Sequence, residues 1–116
     1  SKVWLGGASS NWSDAANWLS GLPGATDSVR INSCVCDEVS CVTLPAGLTV
    51  IGGLRIEEGA EVLVPAGATW EIHGPFENRG EMVVFGQVVI HPVPGSPAWN
   101  LGVLDCRAGG SVEVME

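Results

Sequence analysis

The residues whose types could support hydrolysis are two histidines and the carboxylates near them. His73 lies two residues after Glu71, Glu57 and Glu58 form a second acidic pair, and His91 lies further along the chain. Glycoside hydrolysis needs two carboxylates that flank a groove at a controlled separation. A chain of 116 residues with few long loops leaves little room for such a groove, so solvated carboxylates that discourage edge pairing are the favoured interpretation. The sequence also lacks G-x-S-x-G, H-E-x-x-H and a phosphate-binding glycine loop, so no catalytic residue and no enzyme is predicted.

Four cysteines form the second chemically competent set: Cys34, Cys36, Cys41 and Cys106. The C-x-C-x4-C spacing with a distant fourth cysteine lacks the paired C-x-x-C knuckles typical of structural zinc, so no metal and no cofactor is predicted. All four are disulfide candidates, and three complete pairings are possible. One local bridge plus one long-range bridge is expected in an oxidising compartment, and free buried thiols are expected in the cytosol.

Tryptophan is the third residue type with chemical potential. The stretch "NWSDAANWLSGLP" places Trp12 and Trp18 six residues apart, and Trp4 precedes them. Exposed indole rings would provide a stacking surface for a sugar or a base, whereas buried rings would close one end of a hydrophobic core. A helical turn of one or two turns is expected at residues 13–18, where Ser13 or Asp14 would cap its start.

A repeat in the later part of the chain predicts how these residues are positioned. Short apolar runs are separated by many of the 16 glycines and seven prolines. A step of 20 residues carries Val62 onto Met82, and a step of 19 carries Met82 onto Leu101. A step of 18 carries Trp70 onto Val88. Runs that recur at this period are typical of a β-solenoid, in which each coil buries its inward side chains by stacking on the next.

Alternation within a run predicts which side chains face the core. In "TWEIH", Trp70 and Ile72 would point inward, and Thr69, Glu71 and His73 would point to solvent. The predicted fold class is therefore all-β, a short parallel β-helix of about three coils with a Trp-rich N-terminal cap. A β-sandwich or jelly roll is the alternative, because it also has short strands at similar spacing.

Two segments carry a resemblance to a known group of proteins. "VWLGGASSNWSDAANWLSGLPGATDSVRI" (residues 3–31) resembles the W-x-G-G…N-W…P…D-x-V-x-I opening of right-handed parallel β-helix regions. "LRIEEGAEVLVPAGATWEIHGPFENRGEMVVFG" is similar to the glycine-punctuated repeats that follow it. Such regions occur in autotransporter-like bacterial surface proteins and in small structural proteins of bacteriophage virions. The cysteine-rich residues 32–41 and the irregular "HPVPGSPAWN" depart from that pattern.

The first coil of a solenoid needs a cover, since its inner side chains and its free edge would otherwise face water. Trp4, Trp12 and Trp18 are predicted to form this core cap rather than a ligand platform. Asn17 is expected to bond loop backbone, and Asp27 to brace the turn before it. The expected organisation is a single domain, 1–116, divided into a cap (1–31), a cysteine-rich connection (32–43) and solenoid coils (44–116).

The same steps also predict the outer surface. Glu61, Glu81 and Asn100 would share one polar row. Neighbouring outward rows would be apolar, too apolar for a solitary monomer, and would form a protein interface. The predicted interface residues are Leu63, Val83, Phe85, Val89 and Leu104. Packing of this stripe around a rotation axis would give a homo-oligomer, with a trimer as the expected number.

Charge and hydropathy restrict the possible partners. Thirteen acidic and five basic residues give a net charge of −8, which opposes nucleic-acid binding, and no apolar run reaches the roughly 18 residues that membrane insertion requires. No signal peptide is apparent, so the natural start is expected to be either a Met before Ser1 or the end of a removed leader.

The resemblance, together with the short acidic chain, implies a non-enzymatic virion protein. It would be a capsid decoration or cement protein on the capsid exterior, bound to itself and to a capsid or surface protein. The alternative is an extracellular adhesin or carbohydrate-binding module at a bacterial cell surface. In that case Trp12, Trp18, Trp70 or Trp99 would be the stacking face.

Overall fold

A computed structural model of the chain describes residues 2–4, 11–19, 21–32, 42–95, 98–107 and 109–115. These segments contain thirteen short strands and one 3₁₀ turn at Ala15–Asn17. No helix among them is long enough to cross a bilayer. The strands are β1 Lys2–Trp4, β2 Ser28–Ile31, β3 Val42–Thr43, β4 Gly47–Ile51, β5 Gly53–Ile56, β6 Glu61–Val64, β7 Ala68–Ile72, β8 Phe76–Asn78, β9 Glu81–Val84, β10 Gln87–Ile90, β11 Ala98–Asn100, β12 Val103–Cys106 and β13 Ser111–Val114.

The strands form three parallel sheets that the chain visits in rotation. Sheet 1 has the order β1-β2-β5-β8-β11, sheet 2 has β3-β6-β9-β12, and sheet 3 has β4-β7-β10-β13. All pairings between these strands are parallel, whereas the strands of a sandwich or jelly roll pair antiparallel. The predicted β-solenoid of about three turns is confirmed, and the sandwich alternative is wrong.

Strand alternation fills the space between the sheets. In β7, Trp70 and Ile72 are fully buried, while Thr69 and Glu71 are partly exposed and His73 is exposed, as predicted. Sheets 1 and 2 contribute inward β-branched and large side chains in the same way. Each such side chain contributes roughly 1.5–3 kcal/mol when it is fully buried. The core is therefore a continuous apolar column, and outward positions alone are available for function.

The repeat steps were predicted correctly between the middle coils and incorrectly for the last one. Val62 pairs with Met82 at a step of 20, and Trp70 pairs with Val88 at a step of 18. The next step is 22 rather than 19, because Met82 pairs with Leu104. The connection between β10 and β11 spans residues 91–97, whereas residues 73–75 suffice between β7 and β8. This longer connection shifts every residue of the last coil relative to the predicted register.

The first coil begins earlier in the chain than the predicted boundary at residue 44. Strand β2 belongs to the segment predicted as a cap, yet it pairs along its whole length with β5. Strand β3 belongs to the predicted cysteine-rich connection, and it pairs with β6. The first coil therefore consists of β2, β3 and β4, and only the chain before β2 acts as the cap.

Candidate functional sites

The N-terminal segment places four indole rings in one edge-to-face cluster. Trp18 contacts Trp4 at a centroid separation of 5.2 Å and Trp12 at 4.8 Å. Trp12 in turn contacts Trp70 of the second coil at 5.4 Å. All four rings are buried. This chain of contacts joins the N-terminal segment to the solenoid core, and the predicted Trp-rich cap is confirmed.

Backbone hydrogen bonds attach the cap to the open edges of the first coil. Strand β1 pairs with β2 and extends sheet 1. At sheet 2, the N–H of Trp12 donates to the carbonyl oxygen of Thr43 at 3.0 Å. Local polar side chains fix the segment: Asp14 accepts from Ala16 N at 3.1 Å, and Asn17 Nδ2 donates to Asn11 O at 3.2 Å. The cap therefore covers both the side chains and part of the free backbone of the first coil.

Burial removes most tryptophans from any ligand surface. Trp12 and Trp18 are 4% and 5% exposed, and Trp70 is fully buried. A sugar or base cannot stack on these faces without opening the core. Trp99 on β11 is 53% exposed and is the one tryptophan whose ring remains accessible. The carbohydrate-binding interpretation therefore loses three of its four candidate residues.

The predicted apolar stripe is smaller than expected. Leu63 and Val83 are neighbours on the outer face of sheet 2, but the next residue in this row is Asp105 rather than Leu104. Leu104 packs against the core. The outer row of sheet 3 likewise contains Glu71, Val89 and Glu113 in adjacent strands, so Val89 lies between two carboxylates. The prediction of one stripe through all five residues is wrong, because the shifted register of the last coil and the acidic neighbours on sheet 3 interrupt it.

A compact remnant of the stripe persists beside β9. Leu63 is half-buried, Val83 is 7% exposed and Phe85 is 37% exposed. The guanidinium of Arg107 lies 6.0 Å from the centroid of the Phe85 ring, and its Nε donates to Asp105 Oδ2 at 2.7 Å. Leu63 and Phe85 are therefore the exposed parts of this lateral patch, and Arg107 borders it.

The last coil exposes a larger apolar surface. Its strands β11, β12 and β13 each have a paired neighbour on one side only. Large hydrophobic side chains on and beside these strands are between 44% and 58% exposed: Trp99, Leu101, Val103, Val114 and Met115. We call this set the end surface. Sequence analysis missed it because the wrong step had placed Leu101 and Val103 on the core side.

Sheet 1 carries a network of charged side chains. Glu57 Oε2 lies 2.8 Å from the Nε atoms of both Arg30 and Arg55. Glu77 Oε2 lies 2.6 Å from Arg79 Nε and 3.5 Å from Arg55 Nε. The hydrogen bond from Arg79 to Glu77 and the nearby negative charge raise the pKa of the Arg79 guanidinium. These arginines are engaged by neighbouring carboxylates, so they do not form a free basic patch.

The hydrolytic candidates are distributed over different faces. Glu57 follows β5 on sheet 1 and is held by arginines, whereas Glu71 lies on β7 of sheet 3. His73 Nε2 is 2.9 Å from Glu71 Oε1. His91 stacks on His73 with ring centroids 4.2 Å apart and planes 5° from parallel. The structure thus brings together Glu71, His73 and His91, and it separates them from Glu57.

The proximity of the two histidines was not recognised in the sequence. The step of 18 residues that carries Trp70 onto Val88 also carries His73 onto His91. The same repeat would therefore have revealed the pair if it had been applied to outward residues.

The described cysteine is a surface thiol. Cys106 ends β12, is exposed and is free. Cys34, Cys36 and Cys41 lie outside the described residues, so the predicted pairings remain predictions.

An open depression of about 300 Å³ lies at the corner between sheets 1 and 2. It is lined largely by backbone at Gly59, Gly80 and Gly102, with the side chains of Arg79 and Glu81 at its rim. At this corner successive coils approach closely, since a Cβ on Gly80 would lie 2.3 Å from the carbonyl oxygen of Ala60. The depression is therefore a gap between stacked turns rather than a groove built by loops.

Comparison with known proteins finds no match to a family model, to a curated protein or to a solved structure. The geometry of the chain's own residues is therefore the basis for its function.

Proposed function

We propose that the chain is a non-enzymatic structural protein of a bacteriophage virion, a decoration or cement protein on the capsid exterior. The observation that carries this proposal is the unequal treatment of the two ends of the solenoid. Buried tryptophans close the first coil, whereas the last coil presents five large hydrophobic side chains that are roughly half exposed. An apolar surface of this kind beside polar residues is typical of a protein interaction site.

The construction of the core supports a mechanical role. Large side chains such as Trp70, Met82 and Ile72 are fully buried and fill the space between the three sheets. Protein interiors at such packing have low compressibility and transmit strain. A small rigid body with an adhesive end is suited to hold neighbouring shell subunits together.

Charge supports a protein rather than a nucleic-acid partner. The chain has a net charge of −8. Arg30, Arg55 and Arg79 face Glu57 or Glu77, and Arg107 faces Asp105. A phosphate backbone would meet repulsion, because nucleic-acid affinity comes largely from available Lys and Arg. We expect a neutral or basic protein surface as the partner.

Two surfaces give the proposed partners separate places. The end surface would contact the capsid protein. The lateral patch, with Leu63 and Phe85 exposed, would contact further copies of this chain in a homo-oligomer, for which a trimer is the expected number. An external location on the virion follows from this arrangement.

Mass spectrometry of purified particles tests the proposal. The chain should be present at a copy number comparable to that of the coat protein, and its absence from particles would sink the virion assignment. Rebinding of recombinant protein to particles stripped of it refines the test. Leu101→Ser on the end surface should weaken rebinding, whereas Leu48→Ser should not, although Leu48 on β4 is equally exposed at 62%.

The exposed ring of Trp99 supports one second candidate, a carbohydrate-binding module at a cell surface. In that case soluble glycans should quench tryptophan fluorescence in the parent chain and not in Trp99→Leu. Trp12→Ala should not be needed for this discrimination, because the Trp12 ring is buried. Glycan binding together with absence from particles would favour this candidate over the virion protein.

A further inference from the structure

We propose that Glu71, His73 and His91 bind a divalent transition-metal ion of the zinc–copper class on the outer face of sheet 3. Each residue offers one ligand atom, and these atoms lie within 4.8 Å of one another. The inference is independent of the virion assignment, since it depends only on these three side chains and their backbone.

The backbone places the three residues without help from a metal. Ile72 pairs with Ile90, so His73 and His91, which follow them, lie opposite each other in adjacent coils. The N–H of His73 donates to Ile51 O at 2.9 Å, and the N–H of His91 donates to Ile72 O at 2.7 Å. Adjacent strands in a sheet are about 4.8 Å apart, which fixes the spacing of the two imidazoles.

The third ligand already lies beside the first. Glu71 precedes His73 by two residues, so strand alternation directs both side chains to the same outer face. Glu71 Oε1 and His73 Nε2 are 2.9 Å apart. Two ligands at about 2.0–2.2 Å from a tetrahedral zinc ion are separated by roughly 3.3 Å. A metal ion can therefore replace the contact between this oxygen and this nitrogen with little movement of either.

His91 must turn to complete the site. Its ring is stacked parallel to that of His73, and a metal lies close to the plane of the imidazole that binds it. One ion cannot lie in both parallel planes, so one ring must rotate toward the other. Such a rotation leaves the core unchanged, because the His73 side chain is 46% exposed and His91 is half-buried on the outer face.

The donor set selects the class of metal. Two imidazole nitrogens and one carboxylate oxygen suit zinc, copper and nickel, whereas calcium and magnesium prefer sites made of oxygen atoms. Three protein ligands leave a coordination position for water or for a group from a partner. The net charge of −8 favours cation binding in general, and the arginines with described ion pairs contact carboxylates other than Glu71.

Isothermal titration of the full chain with zinc chloride tests the proposal. The cysteines are first alkylated with iodoacetamide, because thiolates are competing zinc ligands. We expect one zinc ion per chain and no binding of magnesium or calcium. His73→Gln and His91→Gln should each weaken zinc binding by at least the roughly tenfold to hundredfold that loss of a supporting partner causes in metal sites.

Matched variants separate coordination from general charge. Glu71→Gln and Glu113→Gln make the same change in charge on neighbouring strands of sheet 3, on either side of Val89. Only Glu71→Gln should weaken binding. All of these side chains are exposed or partly exposed, so urea unfolding without metal should show intact folds. Zinc binding that disappears on alkylation, or that survives both histidine substitutions, would overturn the proposal.

Discussion

Trp18 Nε1 donates a hydrogen bond to the backbone oxygen of Trp12 across 2.9 Å in the buried interior of the cap. The bond joins the two ends of the 3₁₀ turn, at Ala15–Asn17, that lies between these residues. It also satisfies the polar atom of a ring that is otherwise enclosed by apolar groups, which lowers the penalty of burying an indole. The cap therefore has a defined geometry, in which the Trp12 ring is directed onto Trp70 of the second coil.

Replacement of a cap tryptophan is expected to reduce stability strongly. Trp12→Ala removes a ring that contacts both Trp18 and Trp70, and large-to-small changes at buried aromatic positions lower the free energy of unfolding by about 3–5 kcal/mol. Urea unfolding followed by circular dichroism measures this loss. Trp99→Ala is the matched control, because its ring is 53% exposed and its replacement should change stability by less than about 0.5 kcal/mol. Equal losses in the two variants would contradict the cap.

The sequence carried enough information for the fold of the middle coils. The alternation in "TWEIH" and the steps of 20 and 18 residues depend on local periodicity, which a one-dimensional pattern records directly. The last coil could not be placed in this way. Its register depends on the path of the connection at residues 91–97, and glycine and proline mark that such a segment is irregular without fixing how many residues it uses per turn.

A buried asparagine inside this last junction leads to a second prediction. Asn78 Nδ2 donates to Asn100 Oδ1 and to Val103 O, both at 3.0 Å, and Asn78 Oδ1 accepts from Gly80 N at 3.1 Å. Asn78→Leu would keep the volume and leave the backbone groups of Val103 and Gly80 without these partners. Each buried polar group that loses its partner lowers stability by about 1–3 kcal/mol. We expect a loss of this size by urea unfolding.

Asn100→Leu serves as its comparison. Asn100 is exposed, so water can replace the lost contact to Asn78 and the effect should be smaller. Sequence analysis placed Asn100 on an outer polar row. Its true role depends on the 22-residue step between Asn78 and Asn100, which the sequence did not reveal. If the two variants were equally stable, the buried network would have no structural importance.

The corner glycines give a third prediction. A Cβ at Gly102 would lie 2.1 Å from the carbonyl oxygen of Gly80, closer than any real contact, and this atom belongs to backbone that cannot move aside alone. Gly102→Ala should force the coils apart at this corner and lower stability by about 1–3 kcal/mol, as overpacking does. Gly24→Ala is the control, since its Cβ would meet a side-chain oxygen of Asp27 at an ordinary 3.4 Å. Differential scanning calorimetry should show a lower Tm for Gly102→Ala alone.

The charged network on sheet 1 should contribute little to stability. Glu57 faces Arg30 and Arg55, but both guanidinium side chains are half exposed, at 54% and 50%. Exposed ion pairs contribute about 0–1 kcal/mol and are screened by salt. Arg30→Gln should therefore change the free energy of unfolding by less than about 1 kcal/mol, and the difference should shrink further in concentrated sodium chloride. A larger, salt-independent loss would show that the network supports the first coil through packing instead.

The oligomeric state provides the last prediction, and it tests the lateral patch separately from the end surface. If copies of the chain associate through Leu63 and Phe85, light scattering after size exclusion should give a mass above that of the 12.0 kDa chain, with a trimer expected. Phe85→Ser should return the protein to a monomer, because it removes the most exposed apolar ring of the patch. Leu101→Ser on the end surface should leave the mass unchanged. The opposite pattern would assign self-association to the free edges of β11, β12 and β13, where unpaired strands can add to one another. A monomer in every case would remove the homo-oligomer from the proposal while leaving the contact of the end surface with the capsid to be judged by rebinding to particles.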